Sequence, residues 1–122
     1  MLDTHIALWW ANDPARLTLQ AREAIEDGAN DVFLSSASVW EAAIKAAAGR
    51  LLSPTPIDEA AARSGVRELP IAWKHARRAS ALPSLHSDPF DRMLVGQALE
   101  EGLVLITRDP AVEQYTVQTI RG

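Results

Sequence analysis

The run Leu103-Val104-Leu105-Ile106-Thr107 constrains this chain more than any other segment. It is apolar on both faces and lacks a helical period, as expected of a strand at the centre of a parallel sheet. Such a strand must be covered by helices, so the rest of the chain has to supply them. Segments rich in Ala, Leu, Glu and Arg do so, and each closes on a glycine. Gly28, Gly49, Gly65 and Gly102 stand where a helix would pass into a left-handed cap. The four helices predicted from this punctuation begin near Thr18, at Ser35 to Ser38, at Thr55 with Pro56 in the first turn, and at Asp88 with Pro89 behind it. A fifth is predicted over residues 72–81. Between them lie strand-like runs at residues 31–35, 66–71, 103–107 and 116–120, so strand and helix alternate as in an α/β layer protein. A length of 122 residues leads us to expect one domain over 1–122, without space for a second core.

Composition narrows the chemistry. The absence of cysteine excludes disulfides and thiolate metal centres. With three scattered histidines, a metal would be held mainly by oxygen. A formal charge of −4 gives no global attraction to nucleic acid or anionic lipid, so a polyanion must be met by a local patch. The amino terminus carries Asp3 where a signal peptide carries basic charge, and no apolar run approaches about 18 residues. The expectation is a soluble, cytoplasmic protein with no membrane association.

Four acids stand out by position. Asp3 precedes the apolar stretch Ile6-Ala7-Leu8-Trp9-Trp10, Glu41 falls in the first turns of the helix after residue 35, Asp91 in the opening turn begun by Asp88-Pro89, and Asp109 just after Thr107. In an open parallel sheet the carboxyl ends of strands and the starts of the next helices share one edge, where such folds bind ligands. Asp3, Glu41 and Asp109 would gather there, and Asp91 joins them if its helix starts on the same edge. Each acid also has a structural reading. Glu41 has capping-box spacing from Ser38 and ion-pair spacing to Lys45; Asp88 and Asp109 are N-caps followed by proline; Asp3 could belong to a frayed terminus. Asp91 heads an apolar stripe of Leu94, Val95 and Ala98, so it either pairs with a cation such as Arg92 or shares a metal with the other acids.

Clustered carboxylates repel one another unless a hard divalent cation neutralises them. Mg²⁺ or Mn²⁺ fits an oxygen donor set, and such a site can activate water for phosphodiester hydrolysis. Residues 73–92 add a basic strip containing Lys74, His75, Arg77, Arg78, His86 and Arg92, which is either a phosphate-contacting surface or a solvated helix face. Trp9 and Trp10 would stack on bases or form core or a dimer face.

Leu2-Asp3-Thr4-His5, Ser35-Ser36-Ala37-Ser38-Val39-Trp40-Glu41, His86-Ser87-Asp88-Pro89-Phe90-Asp91-Arg92-Met93-Leu94 and Thr107-Arg108-Asp109 together resemble a PIN domain. The nearest likeness is to the toxin component of VapBC toxin–antitoxin systems. The resemblance implies a three-layer α/β/α fold around a mainly parallel sheet, and a Mg²⁺- or Mn²⁺-dependent endoribonuclease that cleaves structured RNA such as tRNA or rRNA. It places the acidic, metal-holding quartet on Asp3, Glu41, Asp91 and Asp109, with Asp88, Arg92, Thr4 and Thr107 in support. It also implies a homodimer and a VapB-type antitoxin covering the acidic groove. Only Met1 and Leu2 precede Asp3, so the first strand is expected to be very short. Two other readings stand beside this one: a catalytically silent module whose acidic groove receives a basic peptide, and a Mg²⁺-dependent phosphoryl-transfer domain.

Overall fold

A computed structural model describes residues 1–49 and 54–122. Its strands are β1 (Phe33–Ser35), β2 (Arg67–Leu69), β3 (Leu105–Thr107) and β4 (Thr119–Arg121). The pairs β1–β2 and β3–β4 are both parallel, and Leu2 joins them by parallel bridges to Leu34 and Ile106. The spatial order is therefore β2, β1, Leu2, β3, β4. The central position is reduced to one residue because the chain turns into a helix immediately afterwards. Leu2 N–H donates to Phe33 O at 3.1 Å, Ile106 N–H to Met1 O at 2.8 Å and Asp3 N–H to Ile106 O at 3.0 Å.

Seven α-helices among the described residues surround the sheet: α1 (Thr4–Asn12), α2 (Leu19–Glu26), α3 (Ser36–Ala47), α4 (Ile57–Ser64), α5 (Trp73–Ala81), α6 (Pro89–Glu101) and α7 (Pro110–Glu113). Neighbouring strand residues point to opposite faces. Leu34 and Ile106 pack with Ile6, Leu8, Ala21, Ile25, Ile57 and Ala61 of α1, α2 and α4. Leu69 and Leu105 pack with Leu94, Val95, Ala98 and Val112 of α6 and α7. Two apolar clusters, one on each face of a parallel sheet, make the three-layer α/β/α arrangement. Burying a Leu, Ile or Val contributes about 1.5–3 kcal/mol each, which is what holds so short-stranded a sheet together.

Helix starts agree with their capping chemistry. Thr18, Ser35, Asp88 and Asp109 each accept a backbone N–H with the side chain, and Pro89 and Pro110 occupy the first turns behind their caps. Left-handed backbone occurs at Gly49, Gly65 and Gly102, with φ of 71°, 73° and 67°. Gly28 does not adopt it: α2 stops at Glu26, and Asp27 turns the chain by accepting from Ala29 N–H. Pro56 is the N-cap of α4 and not its first-turn residue.

The strands are shorter than their apolar runs. Leu103 N–H is taken by Ala98 O at 2.8 Å, which closes α6 and delays β3 to Leu105. Proline at position 70 ends β2, and β4 begins three residues later than its sequence run. The Ile6–Trp10 stretch, to which sequence periodicity assigned no element, is α1.

The α5–α6 contact orients the start of α6. A Cβ on Gly96 would lie 2.9 Å from Ala79 N and 3.1 Å from Ala79 Cα, so only glycine permits this approach. Buried Gln97 accepts from Ser35 Oγ at 2.6 Å and donates to Pro70 O at 3.3 Å, tying α6 to the ends of β1 and β2.

Candidate functional site

The carboxyl ends of the strands deliver three of the four acids. Asp3 follows Leu2 directly and caps α1, its Oδ1 accepting from Ile6 N–H at 3.0 Å. Glu41 sits in the second turn of α3, whose N-cap, Ser35, is the last residue of β1. Asp109 lies two residues beyond β3 and caps α7, with Oδ1 accepting from Ala111 N–H at 2.9 Å. Asp91 reaches the same edge from α6, whose cap Asp88 accepts from Phe90 N–H at 2.8 Å.

Their environments differ. Asp3 is 6% exposed and Glu41 is 4% exposed; the side chains of Asp91 and Asp109 are 18% and 38% exposed. Burial pushes the Asp3 carboxyl above its usual range; hydrogen bonds from Thr107 and Ile6 N–H oppose this, and the charge of Asp109 adds to it. Asp91 is pushed up to about 6, first by burial, then by the charge of Asp88, with Glu41 and Asp3 adding and the His86 hydrogen bond opposing. Asp3 thus feels Asp109, and Asp91 feels both Glu41 and Asp3. Four carboxylates from four segments share one electrostatic neighbourhood.

The surrounding polar groups hold individual oxygens. Thr107 Oγ1 donates to Asp3 Oδ2 at 2.5 Å and also accepts from Asp109 N–H at 3.1 Å. Thr4 Oγ1 donates to Glu41 Oε1 at 2.6 Å, with Ser38 Oγ 3.1 Å from the same hydroxyl. Lys45 Nζ stands 2.8 Å from Glu41 Oε2. The structural readings of these acids therefore coexist with convergence: the caps and the ion pair are what aim the carboxylates.

Other residues of the sequence reading lie elsewhere. Arg92 does not pair with the acids. Its guanidinium donates to Ala79 O at 2.9 Å, Leu82 O at 3.1 Å, Pro83 O at 3.0 Å, His86 O at 3.4 Å and Tyr115 Oη at 3.4 Å. A planar fork matched to several loop carbonyls outcompetes a single ion pair here. Lys74 pairs with Glu101 at 3.0 Å and Arg78 with Glu100 at 3.2 Å, which binds α5 to α6 and reduces the free charge of the basic strip. Buried His75 accepts from Ala72 N–H at Nδ1 and so donates from Nε2 to Glu101. Together with Lys74 it holds the Glu101 carboxyl below its usual range. Arg77 is exposed on α5.

His86 departs furthest from its place on that strip. Its Nε2 lies 2.8 Å from Asp91 Oδ2 and 3.5 Å from Asp109 Oδ2. No helical spacing reveals this, because His86 sits in the loop before α6; its nearness in sequence to Asp88 and Asp91 was the available signal. Trp9 and Trp10 are partly buried against the α1–α2–α4 cluster, and the Trp9 ring is flanked by the guanidinium carbons of Arg108 at 4.6 Å and Arg16 at 5.0 Å. Trp40 and Trp73 are the exposed tryptophans, 63% and 91% accessible.

The donor set is rich in carboxylate oxygen and poor in compensating cations. Among the described residues, ion pairs to the quartet come from Lys45 and His86. Such a set fits a hard divalent cation, which would remove the repulsion felt by Asp91. A family model described as PIN domain matches residues 1–117. The chain is also 35% identical over 118 residues to a protein described as Ribonuclease VapC22 from Mycobacterium tuberculosis (strain ATCC 25618 / H37Rv), covering 94% of this chain and 90% of that one.

Proposed function

This chain belongs to the PIN-domain family, and from that premise we propose that it is a divalent-metal-dependent endoribonuclease of the VapC toxin type, acting on structured RNA such as tRNA or rRNA. The observation that carries the reading is the placement of four acids from four separate segments at strand ends and helix starts, with Asp91 and Asp109 meeting at the same His86 nitrogen. A structural cap needs one carboxylate; nothing in folding stability calls for four acids from distant segments at one sheet edge.

Asp3, Glu41, Asp91 and Asp109 would hold Mg²⁺ or Mn²⁺. When bound, the ion supplies an activated water and stabilises charge developing on the phosphodiester. The chain's own residues set the stage for that chemistry. Thr107 and the Ile6 N–H each hold one oxygen of Asp3, and Thr4 and Lys45 each hold one oxygen of Glu41, so both carboxylates are fixed in direction and would meet the ion through lone pairs not used by these contacts. Asp88 supports Asp91 by capping α6. Arg77, with Lys74 and Arg78 where their glutamate pairs open, meets backbone phosphates without reading sequence.

We place the enzyme in the cytoplasm; no helix among the described residues is long and apolar enough to cross a membrane. A VapB-type antitoxin is the proposed partner, and its basic tail complements the carboxylates. Exposed Trp40 and Ile44, one turn apart on α3, support a homodimer face.

The test is cleavage of structured RNA by purified protein. Activity should require Mg²⁺ or Mn²⁺, stop with chelator, and fall on the order of a hundredfold or more in Asp91→Asn with the circular dichroism spectrum unchanged. Chelator-resistant cleavage, or full activity in that variant, would reject the proposal. Absence of cleavage with retained peptide binding would favour the silent module.

A further inference from the structure

The His86 ring meets carboxylates from two different segments although no helix directs it. One ligand atom from each of His86, Asp91 and Asp109 falls within 4.8 Å of the other two. Ligands on adjacent corners of an octahedron with bonds of about 2.1 Å stand about 3 Å apart. The 2.8 Å and 3.5 Å separations from Nε2 bracket that value. A single carboxylate suffices for one N–H, so the second contact is what asks for an explanation.

The loop carrying the ring is also braced. Arg92 donates to four of its flanking carbonyls, from Ala79 to His86, and Tyr115 Oη adds a bond to Pro83 O at 3.1 Å. Bracing from behind is how ligand direction is set in metal centres. Resting on the metal-dependent reading above, we infer that His86 Nε2 is a nitrogen ligand to the ion shared by Asp91 and Asp109, and that it gives the site a preference for Mn²⁺ over Mg²⁺. Magnesium favours an all-oxygen shell, whereas a transition ion gains from an imidazole. Coordination uses the Nε2 lone pair, so the neutral ring takes its Nδ1–H tautomer: Nε2 gives up the proton it held toward Asp91 to water, and Nδ1 takes one up from water.

The experiment loads the full chain with Mn²⁺ alone and records electron spin echo envelope modulation, alongside calorimetric titration with Mn²⁺ and with Mg²⁺. The wild type should show nitrogen-14 modulation from a bound imidazole. In His86→Gln the modulation should vanish and Mn²⁺ affinity fall about tenfold or more, while Mg²⁺ affinity changes by less than about threefold. Bound Mn²⁺ without nitrogen modulation in the wild type, or modulation that persists in His86→Gln, overturns the role of His86 and leaves the carboxylate site standing. No Mn²⁺ binding by the wild type overturns both. Should the glutamine variant not fold, His86→Asn takes its place in the same spectrum, with the same outcomes.

Discussion

Replacing Asp91 by Asn should make the metal-free protein more stable. In the folded chain burial, then Asp88, then Glu41 and Asp3 raise this carboxyl from 3.8 to about 6, against the His86 hydrogen bond. A displacement of about two units, at about 1.4 kcal/mol per unit, puts the cost of keeping it ionised near 3 kcal/mol. Its side chain is 18% exposed, so residual solvation makes about 1–3 kcal/mol the working range. Asparagine removes the charge and keeps an oxygen that can accept from His86. At about 3 °C or more per kcal/mol for a domain of this size, the variant's Tm in chelator at pH 7.5 should rise by several degrees. The pH dependence follows from linkage. The folded state holds a proton between about pH 4 and pH 6 that the unfolded state has already released. The wild type is therefore free of the penalty below the unfolded value and bears all of it above about pH 6. The advantage of Asn should be absent near pH 4, grow through pH 5 and level off above 6. Saturating Mn²⁺ should reverse the ranking, because only the wild type gains from ligand linkage. Thermal melts by circular dichroism, with chelator and with Mn²⁺, test each part. Equal or lower stability of the variant in chelator at pH 7.5, or a gain that does not vary with pH, would refute the electrostatic account.

Three further outcomes follow from local geometry. Thr107→Val keeps the shape of a buried side chain but removes the donor to Asp3; RNA cleavage should fall about tenfold, with stability lower by about 1–2 kcal/mol in denaturant titration. Gly96→Ala forces a methyl against Ala79 backbone, and the overpacking of about 1–3 kcal/mol should exceed the gain in helix propensity of about 1 kcal/mol, giving a lower Tm. Arg92→Lys cannot reproduce the forked contacts to Ala79, Leu82, Pro83 and His86. Limited proteolysis should then cut within residues 82–87 several times faster than in the wild type.

How far the sequence could be read depended on the range of the forces involved. The starts of α2, α3, α6 and α7 rest on side chains that cap their own helix, which is local chemistry, and each was visible as a Ser, Thr or Asp before a helical segment. The ends of α3, α4 and α6 were visible as glycines. Helix α1 was not, because the strand before it contributes a single bridging residue, too short for any period, and the burial of Asp3 depends on pairing with residues about a hundred positions away. For the same reason the candidate site was legible in its acids, which sit at helix starts, and illegible in His86 and Arg92. Their directions are decided by carbonyls of a loop that has no pattern of its own. The basic strip was legible as charge only; its partial neutralisation by Glu100 and Glu101 is a tertiary fact.

The four acids are taken from residues 3, 41, 91 and 109 of a 122-residue chain, and no stretch half as long as the chain holds more than two of them. A polypeptide whose synthesis has not reached residue 109 therefore lacks part of the proposed quartet. On the proposed assignment, cleavage of RNA has to wait until residue 109 has been made and folded against the amino-terminal segment that carries Asp3.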